Sequence, residues 1–237
     1  MEDYAAMQHR FYNQDAAGWT VNNRDAVVGT FDAHNSWGQY SHLFSGMDDL
    51  KGKRVLDFGC GPGRNLVKYA KTFGRIDGVD ISEVNLEKAR VWIEHNGLAA
   101  ADFSMYQCNG MDLSDIPSDT YDIVMSTICM QHICVYDIRY GLLKEFLRVL
   151  KPGGCITIQM GYGGKRPGSV DYYANNVTAG TTNGHCDTRV EDPAQLRGDV
   201  EKIGYVNFSH VIADCGPGDL HDNWIYFRAS KPQKVVV

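Results

Sequence analysis

Two acids, a glycine-rich turn and one histidine are the residues of this 237-residue chain whose types and spacing can do chemistry. The stretch VLDFGCGPGRN, residues 55 to 65, ends an apolar run at Asp57 and then sets Gly59, Gly61 and Gly63 around Cys60 and Pro62, with Asn65 just behind. Glycines there remove side chains where a ligand needs the main chain close. Asp80 ends the next β-rich run, RIDGVD, where a carboxylate can accept both hydroxyls of a ribose. Further on, MQHI carries His132, an imidazole suited to take a proton from an amine or hydroxyl, and the first candidate for a general base. His185, in HCD, is the second.

Two other stretches offer contacts for a substrate. WTVNNRDAVVGTFDAHNSWGQY supplies Trp19, His34, Trp37 and Tyr40 ahead of the first strand, and aromatic faces suit a cation; packing of the same rings on the sheet is the competing reading. Tyr4, Phe11 and Tyr12 make a weaker case. GYGG with Tyr162, followed by Asp171, Tyr172, Tyr173, Asn175 and Asn176, is rich in hydrogen-bonding groups and poor in aliphatic ones. A polar small molecule fits such a segment better than a lipid does.

The elements that must position these residues alternate. Runs at 54–59, 75–80, 103–108, 121–127 and 155–160 are separated by segments of helical period, the pattern of a parallel sheet with crossover helices. Ser82 is placed to cap a helix that stops at Asn96-Gly97, and a second helix runs from about Tyr136 to Leu150 before KPGG turns the chain. Asp192 and Pro193 start a helix of about 193 to 203. Runs at 205–214 and 223–230 follow with no helix between them, which predicts a hairpin with an antiparallel strand. Residues 1–50 read as an N-terminal helical cap segment, 51–237 as one α/β domain, and about 161–190 as an inserted lid.

Composition narrows the function classes. The net charge of −6 and the lack of a basic patch interleaved with aromatics argue against nucleic acid. No apolar run is long enough to span a bilayer, and the amino terminus lacks a basic, apolar export signal, so the expectation is a cytoplasmic protein with no membrane partner. Seven scattered cysteines without a C-x-x-C pair predict buried small hydrophobes rather than a disulfide framework or zinc site. HCD and the spread of His210, Cys215 and His221 match no ligand spacing, so no metal is expected.

In their order and spacing, VLDFGCGPGRN, GVDIS, YDIVMSTICMQHI and LKPGG resemble the motifs of class I S-adenosylmethionine-dependent methyltransferases over about residues 50 to 230. The turn is not the dinucleotide fingerprint: it reads G-x-G-x-G, then Arg64. The resemblance implies a Rossmann-like, doubly wound α/β sheet of about seven strands, mostly parallel with an antiparallel C-terminal hairpin strand and helices on both faces. It implies that Gly59, Cys60, Gly61, Gly63 and Asn65 lie beneath the methionine portion of the cofactor, with Asp57 ordering the loop or reaching the amino group through water. Asp80 is to hold the ribose and Ile81 to flank the adenine. CNGMDL stands where the family often has an acid, so Asn109, Gly110 and Met111 are expected at the adenine, and Thr127 near the cofactor amine. Trp37 joins the cofactor set, and Trp19, Tyr40, Tyr162 and Tyr172 the substrate set.

The expected activity is transfer of a methyl group from S-adenosyl-L-methionine, leaving S-adenosyl-L-homocysteine, to a nitrogen or oxygen of a small polar metabolite, by a monomer or homodimer. Methylation of a protein or peptide side chain, a non-catalytic cofactor-binding subunit, and a nicotinamide-dependent dehydrogenase stay open as alternatives.

Overall fold

From residue 54 onward the alternation of β-rich and helical runs produces a single sheet, seen in a computed structural model that describes residues 2–24, 40–164, 169–175, 187–215 and 221–234. Its seven strands are β1 (Arg54–Phe58), β2 (Arg75–Asp80), β3 (Met105–Gln107), β4 (Tyr121–Ser126), β5 (Leu150–Tyr162), β8 (Val206–Asp214) and β9 (Asn223–Ser230), and they lie in the order β3-β2-β1-β4-β5-β9-β8. A separate parallel pair, β6 (Ser169–Val170) with β7 (Asp187–Thr188), comes between β5 and β8 in sequence. The first five strands of the large sheet pair parallel, whereas β9 is antiparallel to both β5 and β8. The chain order reverses between β1 and β4, so the carboxyl ends of those two strands open onto the switch-point crevice.

Helices cover both faces: α1 (Glu2–Ala17), α2 (Ser41–Phe44), α3 (Arg64–Tyr69), α4 (Glu83–His95), α5 (Tyr136–Val149) and α6 (Pro193–Ile203). Their starts follow from local chemistry. The Ser82 side chain accepts from the Asn85 N–H at the start of α4, and Asp192 with Gln195 forms a reciprocal capping box before Pro193. Alternation along β1 sends Val55 to one face, with Ile76, Leu66 and Ala89, and Leu56 to the other, with Val124, Leu142 and Ile156. Buried layers on both sides are what a parallel sheet requires.

Two differences from the expected elements have identifiable causes. β5 starts at Leu150 because that residue already pairs with Tyr121 before the register shifts, although Gly153 does take the expected positive φ of 79°. β3 is shorter than its run, since only Met105 to Gln107 pair with β2. Within the inserted segment, Val170, Tyr172 and Val190 are buried in the core and Tyr136 N–H donates to Ala174 O, while Asp171, Tyr173 and Asn175 are exposed; 165–168 and 176–186 lie outside the described residues. One cysteine also departs from expectation, since Cys134 is disulfide-bonded.

Candidate active site

Where β1 ends, the main chain turns under the crevice. Gly59 and Cys60 N–H groups both donate to Val79 O, which ties the turn to β2. Gly61, at φ +50°, has no atom within 4 Å of where a Cβ would stand, so a side chain there would project into open space. Gly63, at φ +88°, serves packing instead: a Cβ would come 3.0 Å from Ala89 of α4. The turn therefore combines one residue kept bare toward the crevice with one kept bare to seat a helix.

Above it lies a cavity of about 290 Å3 whose wall includes Gly59, Gly61, Asn65, Asp80, Cys108 and His132. Asp80, 6% exposed, accepts hydrogen bonds from Gly61 N–H (2.8 Å), Ser82 N–H (2.9 Å) and the Asn85 amide (3.3 Å). Those bonds give it a role that the spacing alone did not disclose: it clasps the glycine turn to the end of β2. Burial nonetheless raises its pKa. Behind the turn, Asp57 is fully buried, and burial pushes its pKa up to about 7 against a weak Asn65 hydrogen bond (3.4 Å) and the Arg64 charge. Asn65 also donates to Thr127 Oγ1 (3.0 Å), to which Arg64 donates at 3.3 Å. Asp57 Oδ2 and Asn65 Oδ1 are buried without a hydrogen-bond partner among the described residues. The unused Asn65 oxygen on the cavity wall, with the Asp80 carboxylate one strand over, suits a ligand that brings its own ammonium and hydroxyl donors.

The opposite side is assembled from distant parts of the chain. His132 follows β4, and its Nδ1 lies 3.0 Å from Asp187 Oδ1 on β7, an ion-pair distance at which the two atoms are not aligned as a hydrogen bond. His221, just before β9, brings Nε2 to 3.8 Å from the same oxygen, and Gln131 stands 3.2 Å from His221 Nε2. From α1, Tyr4 OH (3.1 Å) and Gln8 Nε2 (2.7 Å) donate to the His132 carbonyl, while Cys134 N–H donates to Tyr4 OH (2.7 Å). The other end of α1 is fixed on α4 by His9 and Asn13 against Glu83 and by Ser82 Oγ donating to Asn13 Oδ1 (2.6 Å). Gln8, Phe11, Tyr12, Asp15 and Trp19 consequently form one wall of the cavity. Burial raises the Tyr12 phenol well above its usual value, helped by the charges of Asp80 and Asp187.

Of the cofactor residues expected from sequence, Gly59, Cys60, Gly61, Asn65, Asp80, Ile81, Gly110 and Thr127 line the cavity. Asp57 and Gly63 lie behind the wall, and Met111 and Asn109 lie off it. The reason at 109–111 is local: Asn109 Oδ1 accepts from Met111 and Asp112 N–H groups and its amide donates to Asp112, so its exposed side chain closes the turn instead. Trp19 and His132 face the cavity. Two substrate candidates do not line the cavity: Tyr40 is buried and accepts from Arg64, and Tyr172 is buried with its hydroxyl donating to Asp199. Tyr162, at the end of β5, does not line the cavity either. Trp37 and His185 lie outside the described residues.

Sequence reasoning missed Asp187, Gln8 and Asp15. The first was noticed within HCD only as a metal candidate, yet among the described residues no trio of His, Cys, Asp or Glu is arranged to hold a metal ion. The spacing of residues 8, 11, 12 and 15 on one helical face was the available signal for the other two. No helix among the described residues is long and apolar enough to cross a membrane.

Residues 55–154 match the methyltransferase-domain family. Among curated proteins, the ubiquinone/menaquinone biosynthesis C-methyltransferase UbiE of Vibrio vulnificus is 27% identical over 160 residues, covering 66% of this chain and 58% of its own length. The ubiquinone biosynthesis O-methyltransferase of Idiomarina loihiensis is 34% identical over 110 residues, covering 46% and 42%. These matches span only about half of the relatives' own lengths. Phosphoethanolamine N-methyltransferase 2 of Haemonchus contortus, solved with S-adenosyl-L-methionine, shares the fold at a TM-score of 0.61 and 21% identity, over 83% of this chain and 53% of that one. The segment that matches the methyltransferase-domain family contains the glycine turn, Asp80 and the His132 loop, on a sheet whose fold is shared with a structure solved with S-adenosyl-L-methionine.

Proposed function

We propose that the protein transfers a methyl group from S-adenosylmethionine to a nitrogen or oxygen of a small polar metabolite. The carrying observation is the placement of the His132 imidazole, backed by Asp187 at 3.0 Å, on the wall of the cavity that the glycine turn and Asp80 also line. When bound, the cofactor supplies an electrophilic methyl on a sulfonium, so the protein has to align, desolvate and remove a proton. Asp80 and the Gly61 main chain are suited to the ribose end, and the unused oxygen of Asn65 to the ammonium, with Asp57 behind it ordering the turn.

With Nδ1 turned to Asp187, the ring's other nitrogen, Nε2, is the one to accept a proton from an acceptor N–H or O–H as that atom forms its new bond to carbon. The proton stays on the imidazole, and the Asp187 carboxylate compensates the charge that develops there. An amine or hydroxyl needs this service.

Calorimetry with S-adenosylhomocysteine and with NAD, followed by radiolabelled methyl transfer to panels of small amines, small alcohols and peptides, tests the reading. Binding of the homocysteine product and labelling of a small amine or alcohol are expected. Binding of NAD alone would overturn it. Labelling confined to peptides would move the acceptor class, and tight binding with no labelling of any panel would favour a non-catalytic subunit.

A further inference from the structure

Arg139 of α5 is a cation buried to 2% exposure that does not line the cavity and, among the described residues, hydrogen-bonds no carboxylate. Its Nη1 donates to Ile133 O and to Thr188 Oγ1 (3.0 Å), and its Nη2 to Tyr172 O. Ile133 is the residue after His132, and Thr188 the residue after Asp187. A single guanidinium nitrogen thus joins the two chain segments that carry the imidazole and its carboxylate.

The surroundings explain how such a charge is tolerated. The rings of Tyr172 (5.2 Å) and Tyr136 (6.0 Å) flank the guanidinium, and the hydroxyls of both donate to Asp199 at 2.8 and 2.7 Å. Asp199 therefore compensates the cation from behind two aromatic faces, leaving the planar donor fork aimed at main-chain carbonyls and a threonine. A lysine cannot present donors in two fixed directions from one plane.

We propose that Arg139 is a positioning residue that sets the spacing between His132 and Asp187, and so fixes which imidazole nitrogen carries the proton. The proposal rests on the reading of His132 as the proton acceptor, but its primary test does not need turnover. Nitrogen-15 NMR of the histidine side chains, at a pH where the imidazole is neutral, reports the tautomer of His132 in the purified full-length protein. In the wild type the Nδ1–H form is expected, as it is the form that puts the proton on the nitrogen 3.0 Å from the Asp187 carboxylate. In Arg139→Met that preference is expected to be lost, as in Asp187→Asn. Thr188→Val, which removes one hydrogen bond at nearly constant volume, should weaken it in part if Arg139→Met does not fold, and Arg139→Lys should not restore it.

An unchanged Nδ1–H tautomer in folded Arg139→Met or in Thr188→Val overturns the proposal, whatever the protein catalyses. With the acceptor in hand, Arg139→Met should lower kcat by about 100-fold, the scale of a misplaced catalytic group, leave S-adenosylhomocysteine affinity unchanged, and cause no further loss in a His132→Ala background. A tautomer that responds as expected in a protein that transfers no methyl group would retain the positioning role and reject the proposed function alone.

Discussion

At one end of the cavity the bond that fixes the wall joins Gly61 to Asp80, 19 residues apart, whereas at the other Tyr4 and Gln8 hold the His132 carbonyl from 128 and 124 residues away. The first end is a strand, a turn, a helix and the next strand, complete within one βαβ unit. The second requires α1, the loop after β4, the β6–β7 pair and the turn before β9 to arrive together. Geometry at the end proposed for the cofactor is thus a property of a local motif, and geometry around the proposed proton acceptor a property of the whole fold. Substitutions should separate the two.

The largest separation is expected at His132. Replacement by alanine should lower kcat by about 100- to 10,000-fold, the usual contribution of a general base, while calorimetry with S-adenosylhomocysteine finds affinity unchanged. The contacts to α1 use the carbonyl of His132, which alanine retains. A parallel loss of cofactor affinity would show that the two ends are not independent.

Asp80→Ala reverses the pattern. It removes a charge-assisted contact worth about 1.5 to 3 kcal/mol, enough to weaken S-adenosylhomocysteine more than tenfold. It also leaves the Gly61 and Ser82 N–H groups without their acceptor, so the melting temperature should fall as well. Unchanged affinity in a folded variant would remove Asp80 from the ribose.

A pH titration of stability sharpens the comparison by measuring what the local motif costs. Burial moves Asp57 from 3.8 to about 7, so between roughly pH 4 and 7 the folded protein keeps a proton that the unfolded chain has lost. Stability contributed by this group is full at the acidic end and is lost as the pH rises through that window. Asp57→Asn, a neutral isostere, should flatten the slope of melting temperature against pH and raise it at pH 8. An unaltered slope would mean that the carboxyl is not the source of the cost.

The same division decides what could be read from the chain. The sheet, the hairpin, both capped helices and the residues at 59–65 and 80–81 were legible because each rests on neighbours within a few positions: Ser82 on Asn85, Asp192 on Ala194, Gly61 on its own φ. His132 was legible as a residue of the crevice but its neighbour was not, because Asp187 belongs to a stretch with no periodic pattern and meets the imidazole only through tertiary packing. Tyr40 and Tyr172 show the converse. A polar aromatic suits a substrate, but a buried hydroxyl given an Arg64 donor or an Asp199 acceptor is already satisfied inside the core.

Asn109 provides the smallest and most discriminating test. It was expected at the adenine because it stands where related chains have an acid, yet its carbonyl oxygen accepts from Met111 and Asp112 N–H groups at 2.8 and 2.9 Å and its amide donates to Asp112. Those bonds make it the cap of an exposed turn. Gly110, next to it, lines the cavity, and a Cβ there would stand 2.6 Å from Ile81 Cδ1, so main chain rather than side chain is presented at this edge. Asn109→Ala should therefore cost about 1 kcal/mol of stability, as a lost cap does, and leave S-adenosylhomocysteine affinity unchanged by calorimetry. A tenfold loss of affinity with no loss of stability would instead place the amide on the ligand, and the local motif would then extend from β1 and β2 to the end of β3.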